Sequence, residues 1–171
     1  MQKSLVSIYI VLYYIEQLEV RKLVAKTSGG FLISKIKQIQ GRLLEKALIE
    51  HGITQFNGAQ GRILFVLWDN DNIPISELSE KTGLAKTTLT SMLDRLEKSG
   101  HIQRVHDPTN RRIIRIRLTE AARNLQEQYN KVSEKMNAIF YEGFSDDEIF
   151  TFENSLRKVL ENLAKKEKDY E

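Results

Sequence analysis

Between Ser76 and Leu118 two short helical patterns and two β-rich runs follow one another with almost no spare residues, and that succession leaves few folds open. Ser76-Glu77-Leu78-Ser79-Glu80-Lys81-Thr82 reads as a short helix with Ser76 as its cap, and Gly83 breaks it. A second helix is expected from about Ala85 to Ser99, burying Leu89, Met92 or Leu93, and Leu96, and stopping at Gly100. Two short helices joined by a tight glycine-containing turn have the helix-turn-helix layout. Ile102–His106 and Ile113–Leu118 then flank Asp107-Pro108-Thr109-Asn110, which predicts a hairpin. In its second strand Ile114, Ile116 and Leu118 face one side and Arg115 and Arg117 the other, so one face packs and the other is wet.

The same window carries the charge. The whole chain has 26 Lys+Arg against 23 Asp+Glu, a net of +3. From Lys81 to Arg117, however, Lys81, Lys86, Arg95, Lys98, Arg104, Arg111, Arg112, Arg115 and Arg117 stand against only Asp94, Glu97 and Asp107, so this segment is strongly positive and the remainder negative. A surface that meets phosphates has this signature; a solvated charged face is the alternative reading of the charge alone. The chain has no cysteine, which excludes a disulfide framework, a thiolate zinc site and a thiol redox sensor and favours a cytoplasmic location.

Helical patterns flank the window. Leu32, Ile36, Ile39, Leu43 and Ala47 form one stripe after the break Thr27-Ser28-Gly29-Gly30, ending near His51-Gly52. Asn57 is the expected cap of the next helix, with Ile63, Leu64 and Leu67 on its core face and Trp68 near its end. After the turn Asp69–Asn72, Ile73-Pro74-Ile75 allows only a very short edge strand, because proline cannot donate to a ladder. Leu118, Ala122, Leu125, Tyr129, Val132, Met136 and Ile139 form a heptad-like seam. Ser145-Asp146-Asp147-Glu148 is a capping box for a last helix that buries Ile149, Phe152, Leu156, Val159 or Leu160, and Leu163, with Lys165–Glu171 frayed. At the other end Leu5–Ile15 is eleven apolar and aromatic residues, too short for a bilayer and a poor signal peptide. Burial against a partner subunit and an unstructured leader are both open for it.

The second helix of the pair is the expected reader of the major groove. Lys86, Thr87, Thr90, Ser91 and Arg95 lie on its polar face, with Thr88 beside them or packed inward, and Ser76 stands at the start of the first helix. Thr109, Asn110, Arg111 and Arg112 at the hairpin tip form a second contact, with the arginines suited to a narrow minor groove. Asp107 has a structural part in the wing, and pairing of Arg111 with Asp107 is the competing reading of that arginine. His51, His101 and His106 lack close ligand spacing, so no metal and no cofactor is expected. No nucleophile–base pair or phosphate loop is visible, and an enzyme is not expected. A winged-helix protein adaptor and a sequence-neutral DNA binder are the remaining rivals.

The run from Ser76 to Gly100, then Ile102-Gln103-Arg104 and Asp107-Pro108-Thr109-Asn110-Arg111-Arg112 leading to Leu118-Thr119, closely resembles the MarR (multiple antibiotic resistance regulator) family. The resemblance spans about Phe31 to Leu163. It implies a repressor acting as an obligate homodimer with intertwined terminal helices, bound to double-stranded, pseudo-palindromic operator DNA, with the wing ending at Arg111 and Arg112. Many members of that family release DNA when a small phenolic or other aromatic ligand enters a cleft between the dimer helices and the DNA lobe, so for this chain the resemblance leaves an organic effector, or none at all, open. Two departures stand out: Ala85 replaces the usual serine cap, a loss of about 1 kcal/mol, and Asn110 replaces a usual aspartate in the wing.

The expected architecture is therefore mainly α with a small β-hairpin wing (α+β), a winged helix-turn-helix with N- and C-terminal dimerisation helices. Residues 1–30 would be an N-terminal extension, 31–56 the first dimerisation helix, 57–118 the DNA-binding lobe and 119–171 the C-terminal dimerisation helices. No membrane contact is expected.

Overall fold

The computed structural model describes residues 27–169. The Leu5–Ile15 segment, most of the expected N-terminal extension, and Tyr170 and Glu171 lie outside the described residues. In chain order the elements are α1 (Gly29–Glu50), α2 (Gly58–Asp69), β1 (Ile73–Pro74), α3 (Ile75–Thr82), α4 (Lys86–Lys98), β2 (Ile102–His106), β3 (Ile114–Leu118), α5 (Glu120–Asn124), α6 (Gln126–Phe140) and α7 (Asp146–Lys168). This is the mainly helical fold with a small antiparallel sheet that the sequence predicts. The three strands lie in the order β1-β3-β2, with Arg104 opposite Ile116 and Ile73 on its other side.

The described residues divide into two units, one ending at Arg42 and the other beginning at Leu43. α1 already includes Gly29 and Gly30, where a break was expected; the Leu32 amide bonds the Ser28 carbonyl, and each glycine costs a helix only about 0.5–1 kcal/mol relative to alanine. Its stripe residues Leu32, Ile36 and Ile39 are well exposed.

The second unit holds the core. Leu48, Ile53, Ile63, Leu64, Leu67, Leu78, Leu89, Leu93, Leu96, Ile102, Ile116 and Val132 are fully buried, each contributing about 1.5–3 kcal/mol by removal from water. Leu93 rather than Met92 takes the central place on α4. Asn57 caps α2 as expected: its side chain accepts from the Gln60 amide at 2.9 Å, and the Gln60 side chain accepts from the Asn57 amide at 3.1 Å. Gly61 lets α2 approach Tyr129, since a Cβ there would lie 3.0 Å from the ring. Trp68 Nε1 donates to the Ala122 carbonyl at 3.0 Å and fastens α2 to α5.

The edges of several elements differ from the sequence reading. Ser76 is not a cap: α3 begins at Ile75, the cap position is Pro74, and no side chain caps the helix. Proline ends the strand, having no N–H to continue it, and its fixed φ leads directly into the helix. The seam from Leu118 to Ile139 is interrupted at Leu125, whose amide turns to Ala122, so α5 and α6 are separate helices. Along α7, Ile149, Phe152 and Leu156 are half-buried, whereas Val159, Leu160 and Leu163 are exposed at 42%, 68% and 65%. That helix also continues through Lys168 instead of fraying at Lys165; lysine and glutamate are good helix formers, and Lys166 pairs with Asp169 past its end.

Candidate nucleic-acid interface

Three residues, Gly83-Leu84-Ala85, join α3 to α4. Gly83 has φ 63°, a left-handed conformation that costs a side chain about 1–2 kcal/mol, so glycine fits the turn. Ser79 Oγ donates to the Leu84 carbonyl at 2.8 Å and Thr82 Oγ1 to the Leu78 carbonyl at 2.7 Å, which closes the corner. Leu89, Leu93 and Leu96 are buried on one side of α4, and this fixes which residues face out. Lys86, Thr87, Thr88, Thr90, Ser91 and Arg95 are all turned outward, and Ser76 lies on the first turn of α3. Thr88 therefore joins the outward face.

Two details bear on what this face can bind. Ala85 occupies the cap position of α4 and no side chain caps it, which leaves the first-turn amides available to an anion such as a backbone phosphate. Thr90 Oγ1 donates to the Lys86 carbonyl at 2.8 Å, so outward it presents lone pairs and a methyl group unless it rotates.

The charge window sorts itself by pairing. Arg104 bonds Asp94 at 2.7 Å, and through its other guanidinium nitrogen it bonds Glu97. Arg115 Nε bonds Asp107 Oδ2 at 2.6 Å. These two arginines consume all three carboxylates of the segment. Among the described residues, Lys86, Arg95, Lys98, Arg111, Arg112 and Arg117 then have no ion-pair partner, while Lys81 pairs with Glu77 at 3.8 Å. Positive potential is thus concentrated on the outer face of α4 and along the hairpin.

At the tip, Asp107 is buried and collects three donors on Oδ1: the Thr109 amide at 2.8 Å, Thr109 Oγ1 at 2.6 Å and the Asn110 amide at 3.1 Å. The Thr109 hydroxyl, followed by the Arg115 guanidinium, holds its carboxyl far below the usual carboxylate range. Asn110 Oδ1 accepts the Arg112 amide at 3.1 Å, and His106 Nδ1 donates to the Arg111 carbonyl at 2.8 Å. Thr109 and Asn110 thus shape the turn, and the Arg111 and Arg112 side chains project from it. The pairing of Arg111 with Asp107 is not formed; Arg115 takes that carboxylate, reaching it along the strand from its place opposite Val105. Arg115 is consequently half-buried, although strand alternation placed it on the wet face.

The sequence reading missed the pairing of Arg104 and Arg115, and that of Asp71 with Arg123 of α5 at 2.6 Å. An aspartate two residues before a threonine is a recognisable turn signal for Asp107, but pairs seven or ten residues apart across the α4–β2 junction, eight apart within the hairpin, or fifty-two apart from Asp71 to Arg123 have no spacing signature. The other histidines have local partners as well. His51 Nδ1 donates to the Ala47 carbonyl at 2.8 Å. Ser99 Oγ donates to the Leu96 carbonyl and accepts from His101 Nδ1 at 2.7 Å, and burial holds the His101 imidazole below its ordinary pKa.

Known proteins are similar to this chain in sequence and fold. The sequence model of the MarR family matches residues 56–114. The chain is 37% identical over 137 residues to the uncharacterized HTH-type transcriptional regulator YsmB of Bacillus subtilis (strain 168), covering 78% of this chain and 88% of that protein. It is 30% identical over 132 residues to the multiple antibiotic resistance protein MarR of Escherichia coli (strain K12), covering 77% of this chain and 90% of that one. The crystal structure of a mutant MarR from E. coli complexed with operator DNA is similar at a TM-score of 0.68 and 27% identity, over 77% of this chain and 92% of that chain. With a helix-turn-helix, a basic hairpin and relatives matched over nearly their whole length, the chain belongs to the MarR family of winged-helix, DNA-binding transcriptional regulators.

Proposed function

We propose that this regulator is a repressor that binds a pseudo-palindromic operator as a homodimer, with α4 in the major groove and Arg111 and Arg112 at the minor groove. One observation carries the reading: Arg104 and Arg115 neutralise every carboxylate of the α4–hairpin segment and leave its outward cations unopposed. Lys86, Thr87, Thr88, Thr90, Ser91 and Arg95 contact bases and phosphates, Ser76 a phosphate, and the tip residues Thr109, Asn110, Arg111 and Arg112 the adjoining backbone and groove. The dimer reading is supported by the exposed apolar residues of the terminal helices, Leu32, Ile36 and Ile39 on α1 and Val159, Leu160 and Leu163 on α7, which the described residues of one chain leave uncovered. The partition into dimerisation helices and a DNA lobe follows that pattern, and the protein acts in the cytoplasm, where its operator is.

The finer part of the reading is release by a small aromatic effector. Phe65, 51% exposed and 6.3 Å from the Tyr129 ring, offers a surface on which such a molecule could stack. Competition binding tests the core of the proposal: labelled DNA from immediately upstream of the gene is titrated against scrambled DNA of the same length and composition at fixed salt. Preference for the upstream DNA of about a thousandfold or more is expected of a specific regulator. Equal affinities would reject operator recognition.

A further inference from the structure

Behind the wing tip runs a chain of hydrogen bonds that extends from the turn to the root of the sheet. Asp107, which gathers the Thr109 and Asn110 amides, is held by Arg115 Nε. Arg115 Nη1 donates to the Asn72 carbonyl at 2.6 Å. The Asn72 amide donates to Asp71 Oδ1 at 2.8 Å, and the same oxygen accepts the Leu118 amide at 2.8 Å. Asp71 Oδ2 pairs with Arg123 of α5 at 2.6 Å. Asn72 is the one non-glycine residue of positive φ among the described residues, at 58°, the left-handed region that asparagine tolerates better than most. The register of β1 on β3, continued two residues back from Ile73, puts residue 71 opposite Leu118, and there the Asp71 carboxylate accepts the Leu118 amide.

From this arrangement we infer that Arg115 and Asp71 are positioning residues for DNA binding: they tie the wing tip to the root of the sheet and to α5, and so fix where Arg111 and Arg112 stand. The tip has no apolar anchor, since every residue from Pro108 to Ile113 is exposed, and its shape rests on Asp107. Arg115 spans two elements through the fixed fork of its guanidinium, bonding Asp107 with one nitrogen and Asn72 with another, which the single ammonium of a lysine does not reproduce. The relay alternates Asp107, Arg115, Asp71 and Arg123 and adds no net charge. Its contribution to DNA binding is therefore geometric.

The inference rests on the proposed wing contact, and its test separates the two. Affinities for a fluorescein-labelled duplex of the upstream DNA, and for a random-sequence duplex, are measured by anisotropy for the parent, R115Q, R115K, the pair R111A/R112A and the combination of R115Q with that pair. Hydrogen exchange of the Thr109 and Asn110 amides is followed in the free proteins and in R123Q. R115Q and R115K are expected to weaken both duplexes about tenfold in the parent background and less than about twofold once Arg111 and Arg112 are gone. Tip exchange is expected to accelerate in R115Q, R115K and R123Q alike. Equal losses in both backgrounds would mean a general structural effect and would overturn the inference, as would parental affinity or unaltered tip exchange in the Arg115 variants. If R111A/R112A binds like the parent, the wing reading itself fails, and the exchange data still report whether the relay holds the tip. Should R115Q fail to fold, R115K carries the same comparison.

Discussion

Replacing Arg111 and Arg112 by alanine gives the prediction most directly computable from the interface. Lys86, Arg95, Arg111 and Arg112 are the outward cations assigned to DNA, and none has an ion-pair partner among the described residues. Four per subunit become eight in a dimer, and each phosphate neutralised contributes about 0.9 to the slope of log affinity against log salt, so the parent slope is about −7. The double substitution removes four of the eight contacts and brings the slope to about −3.6. Between about 50 and about 200 mM salt the parent then loses about four decades of affinity and the variant about two. Because Thr109, Asn110 and Asp107 keep the turn together without either side chain, the fold is expected to survive. The assay is fluorescence anisotropy on one labelled duplex at several salt concentrations, with circular dichroism as a folding control. An unchanged slope would refute the placement of the wing arginines on DNA.

Three further outcomes follow from packing and charge. Leu93→Ala, at a position with no exposed surface, should cost about 2–5 kcal/mol and lower Tm by about 5–15 °C in a thermal melt; a loss under about 1 °C would contradict its central place in the core. Burial lowers the folded-state pKa of His101 below its unfolded value of 6.5, so its contribution is complete above that pH and is lost as pH falls below it, by at most about 1.4 kcal/mol per pH unit. Urea melts from about pH 7.5 to about pH 5.5 should lose this component in His101→Leu; an identical pH dependence in both proteins would assign it elsewhere. Introducing Leu160→Glu with Leu163→Glu should convert a particle of about 40 kDa, two chains of 19.8 kDa, into a monomer by sedimentation velocity, because paired carboxylates cannot be buried in an apolar contact. Retention of the dimer mass would remove α7 from the interface.

What the sequence made legible and what it hid follow a physical division. The helix pair and the hairpin were readable because their signals are local: Gly83 at a left-handed turn, Leu89, Leu93 and Leu96 on one helix face, and alternation from Ile114 to Leu118. The outward set on α4 followed at once, since burying one face exposes the other. Local competition misplaced the ends of elements. Ser76 has the chemistry of a cap, yet Pro74 already occupies the cap position and starts the helix earlier than a Ser76 cap would. The arginines were the hardest to sort. By composition Arg104, Arg111, Arg112 and Arg115 are equivalent, and only the fold brings Asp94, Glu97 and Asp107 to two of them and leaves the other two facing outward. For α7 the stripe was correct but its burial was not, because among the described residues of one chain nothing covers Val159, Leu160 and Leu163.

Hydroxyl-radical footprinting of the protein on its upstream DNA tests the regulator reading most directly. Two protected patches of equal extent on one face of the duplex are expected, about 10 base pairs apart centre to centre, each flanked by a protected minor groove that R111A/R112A leaves open to cleavage. Uniform protection without a two-fold pattern, or a single patch unaffected by those substitutions, would contradict the account.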